Sequence, residues 1–175
     1  MPTRTVESYI ESFPNPSITK QIGEPTRNKI QDVYELLSAN ASSIESSREG
    51  GNHGLLFITH KSGKHLALTG HTLMPLTNPG PVPAMPGGVR ATKVTALEKT
   101  HKHNLQEHNE HKKVSKAIIQ KLINAFEPQG LRHLKTPHTG FNNTTVKVAL
   151  NHLHDTRRAV ATCDLDRNSE NMKTP

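Results

Sequence analysis

The stretch VSKAIIQKLINAF, residues 114–126, decides the fold. Val114, Ala117, Ile118, Leu122, Ala125 and Phe126 recur at helical spacing, so one face of a helix here is apolar and must be buried. Neither Gly nor Pro interrupts the chain back to Thr92. The reading is one long basic helix over about 92–126, closed by Pro128. Its first half is nearly all polar, with only Val94, Leu97 and Leu105 recurring. That half is expected to project into solvent or to bend near Glu110–Lys113.

Working outward, Thr26 is placed as the N-cap of a helix to about Ala39, with Ile30, Val33, Tyr34 and Leu37 on one face and Ile44 folding back onto the same core. Gly50-Gly51-Asn52-His53-Gly54 reads as a turn needing positive φ. The apolar run Leu55–Ile58 after it, bounded by glycines, is expected to be one short extended segment. Leu66 and Leu68 add scattered apolar weight between Gly63 and Gly70. The connector 75–88, with five prolines and three glycines, excludes helix and inner strand. After Pro128 come a short piece, Leu131–Leu134, and a turn at Gly140. Thr144 or Thr145 then caps a last helix to about Arg158, with Val146, Ala149, Leu150 and Leu153 inward.

The expected class is mainly α. A small helical domain spans 23–158, between a flexible N-terminal arm, 1–22, broken by Phe13-Pro14-Asn15-Pro16, and a disordered tail, 159–175. The expected core is Ile30, Val33, Leu37, Leu56, Ile118, Leu122, Phe126, Leu150 and Leu153.

Composition limits that core. Leu, Ile, Val and Phe make up 38 of 175 residues, there is no Trp, and aromatics are 3%. This sits just above the roughly 20% at which chains stay disordered, and it argues against a large close-packed interior. The two clear apolar faces, Ile30–Leu37 and Val114–Phe126, are therefore expected to need cover from a second copy. No apolar run approaches the roughly 18 residues of a membrane span, and the first residues lack the apolar region of a secretory signal. The expected location is cytoplasmic or nuclear. Cys163 is the single cysteine, which excludes an internal disulfide and any multi-cysteine zinc site.

The net charge of +7 is uneven. Residues 1–89 balance seven Lys/Arg against seven Asp/Glu, whereas 90–158 carry thirteen against five and eight of the twelve His. Such a segment attracts polyanions, because each neutralised phosphate releases counterions. On charge alone, Lys102, Lys112, Lys113, Lys116, Lys121, Arg132 and Lys135 are the candidate nucleic-acid contacts. Interleaved aromatics are missing from the segment, which argues against sequence-specific single-strand reading.

Reactive constellations are not evident. His108 and His111 stand three apart with Glu110 between them, whereas zinc proteases need two histidines four apart and a Glu directly after the first. No phosphate-cradling loop, nucleophile elbow or aspartic-protease triplet occurs. Neither cofactor, metal nor small-molecule substrate is expected, and the chain reads as non-enzymatic.

The order of the pieces resembles one family. Glu24-Pro25-Thr26 leads to Leu36-Leu37-Ser38-Ala39-Asn40-Ala41-Ser42-Ser43-Ile44. Then come Gly50-Gly51-Asn52-His53-Gly54, Leu68-Thr69-Gly70-His71 and Thr77-Asn78-Pro79-Gly80-Pro81-Val82-Pro83. Glu107-His108-Asn109-Glu110, Leu122-Ile123-Asn124-Ala125-Phe126-Glu127-Pro128 and Leu150-Asn151-His152-Leu153-His154-Asp155-Thr156 follow. This succession is similar to the N-terminal, Gag-like capsid region of copia-type LTR retrotransposon polyproteins, over about residues 23–175. The resemblance implies a capsid-like helical protein that self-associates into particles around element RNA and has no catalytic residues. The chain departs from it in lacking a Cys-x2-Cys-x4-His-x4-Cys knuckle and, around Arg157-Arg158, the expected Tyr-Gly turn. The expectation therefore extends to a truncated copy.

Overall fold

The computed structural model describes residues 4–46, 51–73, 76–83 and 91–171, with side chains for all of these except 91 and 160–171. Among them the chain forms six α-helices and no strand: α1 Val6–Ser12, α2 Arg27–Ser42, α3 Ser62–Thr69, α4 Ala91–Ala125, α5 Pro128–Leu131 and α6 Val146–Asn171. Short 3-10 turns lie at Leu56–Ile58 and Arg132–Leu134. The fold is mainly α, as its periodicities require.

α4 is the post on which the rest is built. Its 35 residues extend about 52 Å without a break at Glu110–Lys113. Val114, Ala117, Ile118, Leu122 and Ala125 are fully enclosed, and Phe126, just past its end, is nearly so. α1, α2 and α6 pack around it. None of residues 92–113 is buried, but Glu110, His111 and Lys113 contact the body at Tyr9, Phe57 and Arg4, so only the part of the polar half before them projects.

α2 starts where its hydroxyl predicts, with Thr26 Oγ1 accepting from the Lys29 amide at 3.3 Å. It enters the core through Ile30, Val33 and Leu37, each fully enclosed. α6 begins after Thr145, whose Oγ1 accepts from the Val148 amide, and sends Val146, Ala149, Leu150 and Leu153 inward.

The interior is larger than composition suggests. A single cluster of buried apolar side chains runs from Tyr9 to Leu153. It covers both the Ile30–Leu37 and the Val114–Phe126 face within one chain. The apolar residues are few, but those that form these two faces are concentrated inside, so the expectation that a second copy must cover these faces does not stand.

Four local expectations are corrected. The segment 1–22 is not a featureless arm over its described residues. Thr5 caps α1, and Tyr9 and Phe13 are buried. Within the Phe13–Pro16 break the chain is held by Asn40, itself fully enclosed. The Asn40 Oδ1 accepts from the Asn15 amide at 2.9 Å, and its Nδ2 donates to the Asn15 carbonyl at 3.0 Å. A buried amide satisfied on both sides acts as a bracket.

Leu55–Ile58 is not extended. Leu56–Ile58 forms a 3-10 turn whose amides bond back within it, Ile58 to the Leu55 carbonyl and Thr59 to that of Leu56. With no neighbouring strand among the described residues to accept them, these groups pair locally. The turn buries Leu55, Phe57 and Ile58 while Leu56 stays half-buried, so Leu56 is not a core residue. Gly54 makes the docking possible: its φ is +53°, and an added Cβ would fall 2.2 Å from the Ser42 carbonyl oxygen.

Leu66 and Leu68 belong to α3, with Gly63 inside the helix and Gly70 at φ +74° ending it. Finally, α6 continues through the expected tail to Asn171. In the connector, 76–83 carry neither helix nor strand, and Pro75 and 84–88 lie outside the described residues.

Replacing Asn40 by Ala removes both bonds of the bracket and should cost about 2 kcal/mol of unfolding free energy. Chemical denaturation measures this, and amide exchange at Asn15 should accelerate. Unchanged exchange at Asn15 would show that the N-terminal segment is held by other means.

Candidate nucleic-acid interface

A groove of about 940 Å³ opens between the buried half of α4 and the start of α6. Its floor is apolar, with Phe57, Ile119 and Ile123, and Phe141 lines it from the loop before α6. Lys112 and Lys116, one helical turn apart on α4, stand on one side. Lys147 enters from the first turn of α6, next to the inward-facing Val146. Burial pulls the Lys147 ammonium below its ordinary pKa. Gln120, Asn142 and Asn143 supply amides, and Glu7 is the single carboxylate on the wall among the described residues. The His108 Nδ1 is buried without a hydrogen-bond partner among the described residues, and His108 lines the same groove.

Three ammonium groups above an apolar floor with a half-buried phenyl ring and exposed amides suit a phosphodiester chain. In general, ammonium groups neutralise phosphates and an accessible ring offers a stacking face.

The candidate contacts read from charge alone do not form one patch. Lys112 and Lys116 share the groove. Lys102 is exposed on the projecting half of α4. Lys113 donates from Nζ to the Arg4 carbonyl at 3.0 Å, and Lys121 donates to that of Pro16, so both ammonium groups tie down the N-terminal segment. Arg132 and Lys135 are exposed beyond the C-terminal end of α4, about 34 Å along the helix from Lys102. Lys147 was not singled out from the sequence, although its place directly after the inward Val146 was a usable signal. Phe57 comes from outside the basic segment, whereas Phe141 lies within it, in the loop before α6, so the expectation that the segment offers no aromatic beside its cations is corrected at Phe141.

The histidine-rich part of α4 is engaged structurally. The His111 ring stacks on Phe57 at 5.2 Å between centroids and 20° between planes. His103 Nε2 lies 3.6 Å from the Glu107 carboxylate. Glu110 accepts the Tyr9 hydroxyl at 2.6 Å. Burial, then that bond and the charge of Glu110, push the Tyr9 phenol well above its ordinary pKa. Among the described residues no group of three His, Cys, Asp or Glu is arranged to hold a metal ion. The Cys163 side chain lies outside the described residues.

No protein-family model matches the chain, and no curated protein or solved structure is similar to it. Among the described residues no helix is long and apolar enough to cross a membrane.

His60 gives the domain a pH signature. It is buried, with Nδ1 2.9 Å from Thr59 Oγ1 and 3.2 Å from the Leu56 carbonyl oxygen. Burial, then the nearby charge of Lys64, lowers its pKa from 6.5 to about 4. The unfolded chain therefore binds a proton that the folded chain refuses between those values. Stability is complete above pH 6.5 and falls as the pH drops toward 4. This one group contributes at most about 1.4 kcal/mol per pH unit in that window. Denaturation across pH 4–7 should show the slope, and His60→Asn should flatten it. An equal slope in the variant would exclude His60 as its source.

Proposed function

We propose that the chain is a non-enzymatic, Gag-like structural protein of retrotransposon origin that packages RNA through the groove between α4 and α6, associates with copies of itself, and acts in the cytoplasm or nucleus. The observation that carries the RNA half is the convergence of Lys112, Lys116 and Lys147, from two elements, over an apolar floor. The ordered succession of motifs from Glu24 to Thr156 supports the Gag-like half. For assembly, the free length of α4 is the surface available, with Leu97 exposed and Val94 and Leu105 half-buried on a helix otherwise bathed in solvent.

One observation favours a second reading, a stand-alone, non-specific nucleic-acid-binding protein without an assembly role. The two apolar faces that would otherwise call for a second copy are closed within the single chain.

Fluorescence anisotropy with a single-stranded RNA oligonucleotide tests the groove. Lys112→Gln, Lys116→Gln and Lys147→Gln together should weaken binding and make the slope of log affinity against log salt shallower by about 2. Lys102→Gln should change little. Unaltered affinity in the triple variant would contradict the proposal. Light scattering with RNA separates the two readings. Assemblies that Leu97→Glu dissolves support packaging, and a strict monomer at high concentration supports the stand-alone protein.

A further inference from the structure

A second, smaller cavity shares Lys147 with the groove. It measures about 180 Å³, room for roughly six waters. Three elements build it. Tyr34 comes from α2, Lys61 and Lys64 from the entry and first turn of α3, and Lys147, Asn151 and His154 from α6. No carboxylate lines it among the described residues. Of the carboxylates adjacent in the chain to its lining residues, Glu35 accepts from Gln31 Nε2 at 2.6 Å, and Asp155 lies 3.9 Å from the Arg158 guanidinium while its charge also reaches His154.

Two features suit this lining to an anion. The Lys64 ammonium sits 4.1 Å from the centroid of the Tyr34 ring, a cation held by a π-face in place of a carboxylate. Tyr34 lines the cavity, and its hydroxyl is buried with no hydrogen-bond partner among the described residues, a cost that an acceptor admitted by a local shift of the surrounding side chains would remove. The surrounding charge acts in the same direction. Burial first, then the positive charge of Arg158, holds the His154 imidazole below its ordinary pKa, with Asp155 opposing and Arg27 and Lys61 adding to the effect. Three lysines facing one small volume repel each other until something negative lies between them.

We propose that this cavity binds a compact phosphate anion of the pyrophosphate class, with Lys61, Lys64 and Lys147 neutralising its oxygens and the Tyr34 hydroxyl donating to one of them. The ligand is free pyrophosphate or the terminal phosphates of an RNA 5′ end, which carry the same chemistry. The site is independent of the RNA groove apart from Lys147, and it stands whether or not the groove binds RNA.

Calorimetric titration of the full chain with sodium pyrophosphate, at constant ionic strength, tests it. One-to-one binding is expected, with amide shifts concentrated at Lys61–Lys64 and Lys147–His154. Lys61→Met with Lys64→Met should weaken it at least about tenfold, equivalent to about 1.4 kcal/mol. Tyr34→Phe removes only the hydroxyl and should weaken binding several-fold without lowering thermal stability. Lys112→Gln with Lys116→Gln should leave pyrophosphate binding intact, which keeps a failure of the RNA reading distinct from a failure of this one. Tighter binding of a 5′-triphosphate RNA than of its 5′-hydroxyl twin, lost on adding pyrophosphate, would identify the RNA end as the source. Equal binding of the two RNAs would identify the free anion. No heat and no shifts with pyrophosphate at about 10 mM, or identical affinity in the Lys61/Lys64 variant, would overturn the proposal.

Discussion

Everything in this chain depends on burying one face of α4 between Val114 and Phe126. A helix of 35 residues with so polar a first half has little reason to hold its place except through that face. α1, α2 and α6 each cover part of it. Because the enclosed side chains are packed at 0–3% exposure, truncating any one of the large ones leaves a cavity as well as losing transfer energy. The scarcity of apolar residues makes this economy necessary, and it also fixes what is left outside. The surface carries the surplus cations, and α4 before Glu107 is mostly exposed.

That arrangement explains how much was legible. α2, the second half of α4 and the start of α6 follow from period-3.6 patterns strong enough to read directly, and Thr26 and Thr145 cap where their hydroxyls predict. The N-terminal segment was not legible for a tertiary reason. α1 is seven residues long, too short to be stable alone, and its anchors are distant groups: Glu110 for Tyr9, Asn40 for Asn15, Lys121 for Pro16 and the Ala125 carbonyl for Gln21. At Leu55–Ile58 a short apolar run between glycines fits either a strand or a tight turn. Gly54, pressed against the Ser42 carbonyl, settled it in favour of the turn.

The same logic separates the charge seen in the sequence from the charge that matters. Sequence counting finds a cationic segment, but folding divides it. Two lysines become tethers, two line a groove, and the remainder are spread along about 34 Å or more of helix and its C-terminal end. Lys147 gains its importance from position. It lies between the groove and the small cavity and lines both, so the basic surface runs from α4 across α6 to Lys61 and Lys64. Counting residues cannot reveal that continuity, because its members are separated by more than eighty positions in the chain.

The claim at the centre of this account is that polyanion contact is made at the groove between α4 and α6, rather than along the exposed helix. Ultraviolet crosslinking of the full chain to single-stranded RNA, with the attachment sites mapped by mass spectrometry, tests it most directly. The account predicts crosslinks at Lys112, Lys116, Phe141 and Lys147. Crosslinks confined to Lys93–Lys102 on the projecting half of α4, with the groove residues free of adducts, would contradict it.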